Sequence, residues 1–140
     1  MATTANPHRL FPALKSLEEG PFSALLGLKT ESAGAGRAVV RMPFNLRLLN
    51  AGPPDVPIHG GAIAALADFA ACAAVWTMPE TQRSATISMT VNYTAPGIQS
   101  DLIAHAAVRR KGRRIASLNV EIRDTAGSLI ADALVTYKIA

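Results

Sequence analysis

The chain has 140 residues, 49% of them hydrophobic and 17% charged, and a formal net charge of +4. That length suits one domain with a sizeable core, residues 1–140, and the single cysteine excludes an internal disulfide framework and a cysteine-only metal site. A mean hydropathy of +0.22 is high for a soluble domain of this size, so the excess apolar surface points to a homo-oligomer. No charged-then-apolar leader opens the sequence and no apolar run approaches the roughly 20 residues of a membrane span, so the expectation is a cytoplasmic protein without membrane contact.

Residues 1–8 are polar and are expected to fray. Residues 1–24 as a whole read as a helical segment ahead of the sheet. Leu10, Phe11, Leu14 and Leu17 sit at helical spacing between Arg9 and Glu19, and Gly20-Pro21 ends that pattern. Phe22–Leu26 is a further apolar turn closed by Gly27. Leu28–Met42 is extended, with a turn at Gly34-Ala35-Gly36, and Ala38, Val40 and Met42 share one side. Pro43–Pro57 is a loop. A helix follows from about Gly60 to near Pro79. Four strands with period-2 patterns complete the chain. In Thr86–Thr94, alternation puts Ile87, Met89, Val91 and Tyr93 on one face. Leu102–Arg110 turns at Lys111-Gly112 into Arg114–Asp124, and Thr125-Ala126-Gly127 turns into Ser128–Ile139. Connections this short make the last three strands antiparallel neighbours. One apolar helix followed by a meander gives an α+β fold in which the antiparallel sheet wraps the helix.

The helix organises the rest. Eight of the fifteen residues from Ala62 to Trp76 are Ala, and every one is apolar except Asp68. Such a segment has no polar face and is expected to be buried on all sides. An unpaired buried charge costs several kcal/mol, so a sequence that only built a core would not place Asp68 there. At the helix start, His59-Gly60-Gly61 leaves bare backbone N–H groups under a partial positive charge, with no side chain to block an approaching oxygen. A second concentration of charge lies in Arg109, Arg110, Lys111, Arg113 and Arg114, which hold five of the fourteen basic residues and favour a specific anionic site over a generally basic surface.

These residues carry a resemblance. His59-Gly60-Gly61-x-x-x-x-Leu66-x-Asp68, then Val91-Asn92-Tyr93-x-x-Pro96, Arg110-Lys111-Gly112-Arg113 and Asp124-x-x-Gly127-x-Leu129-x-Ala131, resemble in order and spacing the hotdog-fold acyl-CoA thioesterases of the phenylacetate-degradation (PaaI-like) group. The resemblance covers roughly residues 25–139. It implies hydrolysis of an acyl-CoA to free acid and CoA, with no metal and no cofactor beyond the CoA of the substrate. It implies an assembly of at least a dimer, and a tetramer by family habit. By position, Asp68 would be the nucleophile or general base, and Gly60 N–H would hold the carbonyl oxygen from another subunit. Gly61 would shape the turn, His59 would lie beside the thioester, and Thr86 would position water. Asn50 is the candidate for a loop amide that usually lies about six residues before the histidine; here it lies nine before. The basic run would hold the CoA nucleotide.

Plainer readings compete. Asp68 could pair with an arginine as a structural acid, and Thr86 could be an ordinary strand residue. Cys72, one turn beyond Asp68, reads as a small buried hydrophobe. His105 falls on the sheet face opposite Ala104 and Ala106, and His8 lies in the tail. The basic run could be a solvated hairpin tip; few aromatics accompany it, which speaks against nucleic acid. No Gly-x-Ser-x-Gly elbow, metal-ligand spacing or nucleotide fingerprint is present. Two other classes stand beside hydrolysis: a non-catalytic acyl-CoA-binding protein of the same fold, favoured by the displaced Asn50, and a hydratase or dehydratase, for which no suitable His–acid pair is found.

Overall fold

A computed structural model describes residues 5–140. Three short helices open it: α1 (Pro7–Leu10), α2 (Ala13–Glu19) and α3 (Pro21–Leu26). Strands β1 (Lys29–Gly34) and β2 (Arg37–Met42) follow, then a 3₁₀ turn at Leu46–Leu48, the long helix α4 (Gly60–Trp76), and β3 (Ser84–Tyr93), β4 (Leu102–Lys111), β5 (Ile115–Asp124) and β6 (Leu129–Ile139). The strands form one antiparallel sheet in the order β1-β2-β4-β5-β6-β3. This is the hotdog arrangement expected from the sequence, with α4 packed against the concave side of the sheet.

The alternation in the last strands holds. Leu102, Ala104 and Ala106 in β4, Ala116, Leu118, Val120 and Ile122 in β5, and Ala131, Ala133, Val135, Tyr137 and Ile139 in β6 are all buried, while His105 is exposed. They face Ala67, Ala70, Ala71, Ala73 and Ala74, whose small side chains let the sheet backbone come close to the helix. No described helix is long and apolar enough to cross a membrane.

The N-terminal reading needs correction. The stretch read as one helix from Arg9 is broken at Phe11-Pro12, because a proline has no N–H to carry the helix through. Residues 1–4 of the expected frayed tail lie outside the described residues, but Pro7 and His8 fold into α1. His8 Nε2 lies 2.8 Å from Oε2 of the buried Glu18, whose other oxygen accepts from the Thr30 N–H. The helical segment is therefore fastened to β1.

The expectation for α4 also changes. It is buried against the sheet, but a stripe through Gly61, Ala64, Ala65, Asp68, Cys72 and Trp76 is only partly covered, with Gly61 exposed. Positions three and four apart lie on one side of a helix, so this is a single uncovered face. β3 is the outer strand on that side, with Ile87 and Tyr93 at 53% and 52% exposure.

Leu66 has 0% exposure in the middle of α4. Leu66→Ala is expected to lower stability by about 2–5 kcal/mol in denaturant unfolding at fixed protein concentration. A loss below ~1 kcal/mol would show that α4 is not the centre of the core.

Candidate active site

The site begins where the chain enters α4. Leu49 and Ile58 form an isolated antiparallel bridge, and Asn50 N–H donates to the Pro57 carbonyl at 3.1 Å. His59 then caps the helix: its Nδ1 accepts from Gly61 N–H at 2.8 Å, which leaves the ring proton on Nε2. A β-carbon at Gly61 would stand 2.9 Å from that Nδ1, so the cap requires glycine. On the next residue, Tyr93 Oη donates to the Gly60 carbonyl at 2.7 Å, and a Cβ at Gly60 would meet the Tyr93 ring at 3.3 Å. The Gly60 N–H has no acceptor among the described residues. It lies at the positive end of a 17-residue helix and lines a cleft of about 430 Å³ with Asn50, Tyr93 and Thr94. The longer loop before His59 thus does not take Asn50 away, because residues 51–56 bulge out beyond the Leu49–Ile58 bridge.

Asp68 sits two turns further along. Its Oδ1 accepts from Thr86 Oγ1 at 2.6 Å and from Tyr137 Oη at 2.7 Å, and Tyr137 Oη is also 2.9 Å from the Asp68 carbonyl. Oδ2 has no partner among the described residues. Burial, with the neighbouring Cys72 adding to it, pushes the Tyr137 phenol well above its ordinary range, so Tyr137 stays a donor. The carboxylate opens into a cavity of about 270 Å³ that includes Ser23, Cys72, Ser84 and Thr86. No arginine or lysine pairs with it among the described residues, which removes the structural ion pair as its explanation.

Thr86 reaches Asp68 only because β3 is irregular. Between Thr86 and Ser88 the register against β6 slips, so Thr86 opposes Tyr137 and Ser88 opposes Thr136. Beyond that bulge, Met89, Val91 and Tyr93 pair with the inward Val135, Ala133 and Ala131. Strict alternation would set Thr86 and Tyr93, seven apart, on opposite faces; the bulge at Ile87 turns both toward α4. Ile87 is consequently not a member of the inner row.

Cys72 is partly buried, with Sγ 3.7 Å from Ser84 Oγ, which itself accepts from Trp76 Nε1 at 3.0 Å. The basic residues are all exposed at the β4–β5 hairpin. Lys111 Nζ donates to the Pro79 carbonyl at 3.3 Å, so this tip lies at the C-terminal end of α4, on Asp68's side of the molecule. Lys111, Ala116, Tyr137 and Thr86 are successive partners across the sheet, which places Lys111 about 14 Å from Thr86. Among the described residues there is no group of three His, Cys, Asp or Glu side chains able to hold a metal.

Residues 58–131, from the last residue before the His59 cap into β6, match the family model described as the thioesterase superfamily. The chain belongs to the thioesterase superfamily. Among its relatives is a Halobacterium salinarum protein described provisionally as an esterase, 34% identical over 102 residues, which are 71% of this chain and 67% of the relative. The medium/long-chain acyl-CoA thioesterase YigI of Salmonella typhimurium is 29% identical over 134 residues, 85% of each chain. The PaaI protein of the E. coli phenylacetic acid degradation operon superposes with a TM-score of 0.80 at 25% identity, covering 97% of this chain and 96% of that one. The PaaI-like resemblance therefore stands, and thioester hydrolysis in general is the chemistry that family membership supports.

Tyr137 is the site residue that sequence reasoning passed over. Its signal was there: a tyrosine on the inward row of a central strand must bury a hydroxyl, and a buried hydroxyl needs a polar partner. The only carboxylate on the facing helix is Asp68.

Burial also pushes the Cys72 thiol up, a shift that the Ser84 hydrogen bond opposes and the Asp68 charge reinforces. Less thiolate is then present at neutral pH than in a free cysteine. Iodoacetamide is expected to label Cys72 slowly at pH 7–8, its rate still climbing above the ordinary thiol range; labelling as fast as free cysteine at pH 7 would contradict this environment.

Proposed function

We propose that the protein hydrolyses an acyl-CoA thioester to the free acid and CoA in a site shared between two copies of the chain. The observation that carries this reading is a separation. Gly60 and Asp68 are eight residues apart on one helix, about 12 Å at 1.5 Å per residue. A reacting carbonyl needs its oxygen donor and its attacking group each within about 3 Å. A single chain therefore offers an oxyanion donor without an attacking group at one end and the reverse at the other.

The free edge of β3 offers the remedy. Tyr93 at one end of this strand touches Gly60, and Thr86 near the other touches Asp68. Antiparallel pairing of two β3 edges about Met89 and Thr90 sets Thr86 of one copy opposite the partner's Tyr93. That brings Asp68 of one copy toward the partner's Gly60, twice per dimer, as an isologous contact requires. The half-covered stripe of α4 and the inward Met89, Val91 and Tyr93 of β3 then face the partner. Further assembly to a tetramer is compatible with this pairing.

In such a site Gly60 N–H, aided by the helix dipole, receives the negative charge that develops on the thioester oxygen. A preorganised donor of this kind contributes roughly 3–4 kcal/mol. Thr86 and Tyr137 hold Oδ1 of Asp68 and leave Oδ2 free to attack the carbonyl or to take a proton from water. The C–S bond breaks, the water oxygen ends in the acid, and the proton goes to the CoA sulfur. Asn50, in the Gly60 cleft, and His59, the residue before Gly60, orient the thioester. Arg109, Arg110, Lys111, Arg113 and Arg114 hold the CoA phosphates, each able to offer charge-assisted hydrogen bonds. The displacement of Asn50 along the chain favours a non-catalytic binder; its place in the Gly60 cleft supports hydrolysis instead.

Release of CoA, followed with a thiol reagent over a panel of acyl-CoAs, tests the reading. Asp68→Ala is expected to lower kcat at least 100-fold. Thr86→Val, which removes one hydroxyl from a charged acceptor, is expected to lower it about 10-fold. Acyl-CoA binding without turnover by the unaltered protein would replace hydrolysis with carriage of the ligand. Equal turnover by Asp68→Ala would make Asp68 structural.

A further inference from the structure

Two clefts border the start of α4, and they differ in chemistry. The one that holds Gly60 is lined by Asn50, Tyr93 and Thr94 as well as apolar residues. The other, of about 400 Å³, borders His59, Gly61 and Ala62, the residues on either side of Gly60. Its walls are Phe22, Leu25 and Leu26 of α3 and Leu48 and Leu49 beside the 3₁₀ turn. Arg47 stands exposed at its rim, where a guanidinium remains hydrated while its stem covers apolar surface.

We propose that this second groove, between α3 and the Leu48-Leu49 segment, receives the acyl chain of the thioester, and that Leu25 and Phe22 set the accepted chain length. The inference rests on the proposed hydrolysis site at Gly60. A thioester held there sends two arms away from its carbonyl. The pantetheine arm carries two amides and a hydroxyl, which suit the cleft with polar side chains. The acyl arm is hydrocarbon and suits the groove whose walls are almost entirely apolar. Its volume falls within the range of small-molecule sites.

Two further observations support this assignment. Phe22 and Leu25 are 63% and 59% exposed, large apolar side chains held out by a helix that is fixed at its end. Gly27 caps that helix in the left-handed region, and Leu26 is buried beneath it, so the exposed pair stands on a firm base. The groove's walls also fall before residue 58, outside the segment that matches the family model. The walls thus come from outside the segment that the family match covers, so membership of the family does not dictate them.

A chain lying in the groove should gain about fourfold in affinity for each methylene it buries. The direct test compares the natural protein with Leu25→Trp, which fills the groove at an exposed position, and Leu25→Ser, which removes a wall. Turnover is measured with acetyl-, hexanoyl- and decanoyl-CoA, and binding with the corresponding non-hydrolysable S-alkyl-CoA thioethers. Leu25→Trp is expected to lower the ratio of kcat/KM for decanoyl-CoA to that for acetyl-CoA at least 10-fold. Affinity for the decyl thioether should fall in parallel, and Leu25→Ser should weaken the longer chains in smaller measure. Length-dependent binding that both variants alter, with no turnover by the natural protein, would support the groove and retire the hydrolysis. Turnover whose chain-length profile neither variant changes would overturn the groove and leave hydrolysis standing. A uniform loss at every length together with a changed mass on gel filtration would also overturn it, marking the groove as a contact between copies.

Discussion

The bond from Thr86 to Asp68 and its companion from Tyr137 are the contacts on which the rest depends. Asp68 is the one charged group in α4, on a helix otherwise built to lie against a sheet. Left without partners in that partly covered setting it would add nothing to the packing of the helix, where an alanine would serve. Two hydroxyls from adjacent strands hold one of its oxygens. They also fix the direction of the other oxygen. The sheet's order, with β6 and β3 side by side at the edge, is what brings the two hydroxyls to one carboxylate. The bulge at Ile87 is part of the same device, because without it Thr86 would face away.

The opposite end of α4 solves a different problem with backbone alone. His59 turns inward to cap Gly61, Tyr93 holds the Gly60 carbonyl, and neither glycine has room for a side chain without a close contact. What remains unengaged among the described residues is one N–H at the positive end of a long helix. The two ends are complementary in chemistry and too far apart to act on one carbonyl. An uncovered stripe on α4 and an unpaired strand edge lie between them. Apolar excess in the composition, the open edge and the divided site all ask for a second copy of the chain.

Most of this was legible before any coordinates. The Ala-rich helix and the period-2 rows of β4, β5 and β6 announced themselves because each buries a continuous apolar face, and burial is what hydrophobic pattern records. Asp68 and Gly60 stood out as departures from that pattern. Three features did not show. A bulge leaves no mark in an alternating sequence, so Ile87 was counted with the inner row and the reason Thr86 points inward was hidden. Asn50 looked remote because distance was counted along the chain, whereas the Leu49–Ile58 bridge sets it in space. Complete burial of α4 was expected because its composition is apolar throughout. Composition states that a face will be covered, and cannot distinguish cover by the same chain from cover by a partner.

Subunit complementation tests the divided site most directly. Gly60→Pro removes the N–H at the first helical position, where the backbone accepts proline and the His59 ψ of 132° suits it, at the cost of a few tenths of an ångström of movement by the Tyr93 ring, 3.3 Å from the added Cβ. Asp68→Ala removes the carboxylate. Each variant alone is expected to be inactive toward an acyl-CoA that the natural protein hydrolyses. Unfolded together and refolded as a mixture, half the dimers should be mixed, and one of their two sites should hold an intact Gly60 and an intact Asp68. About a quarter of the natural activity should then return. No activity above that of the separate variants, with mixed dimers demonstrated by mass, would contradict a site built from two chains.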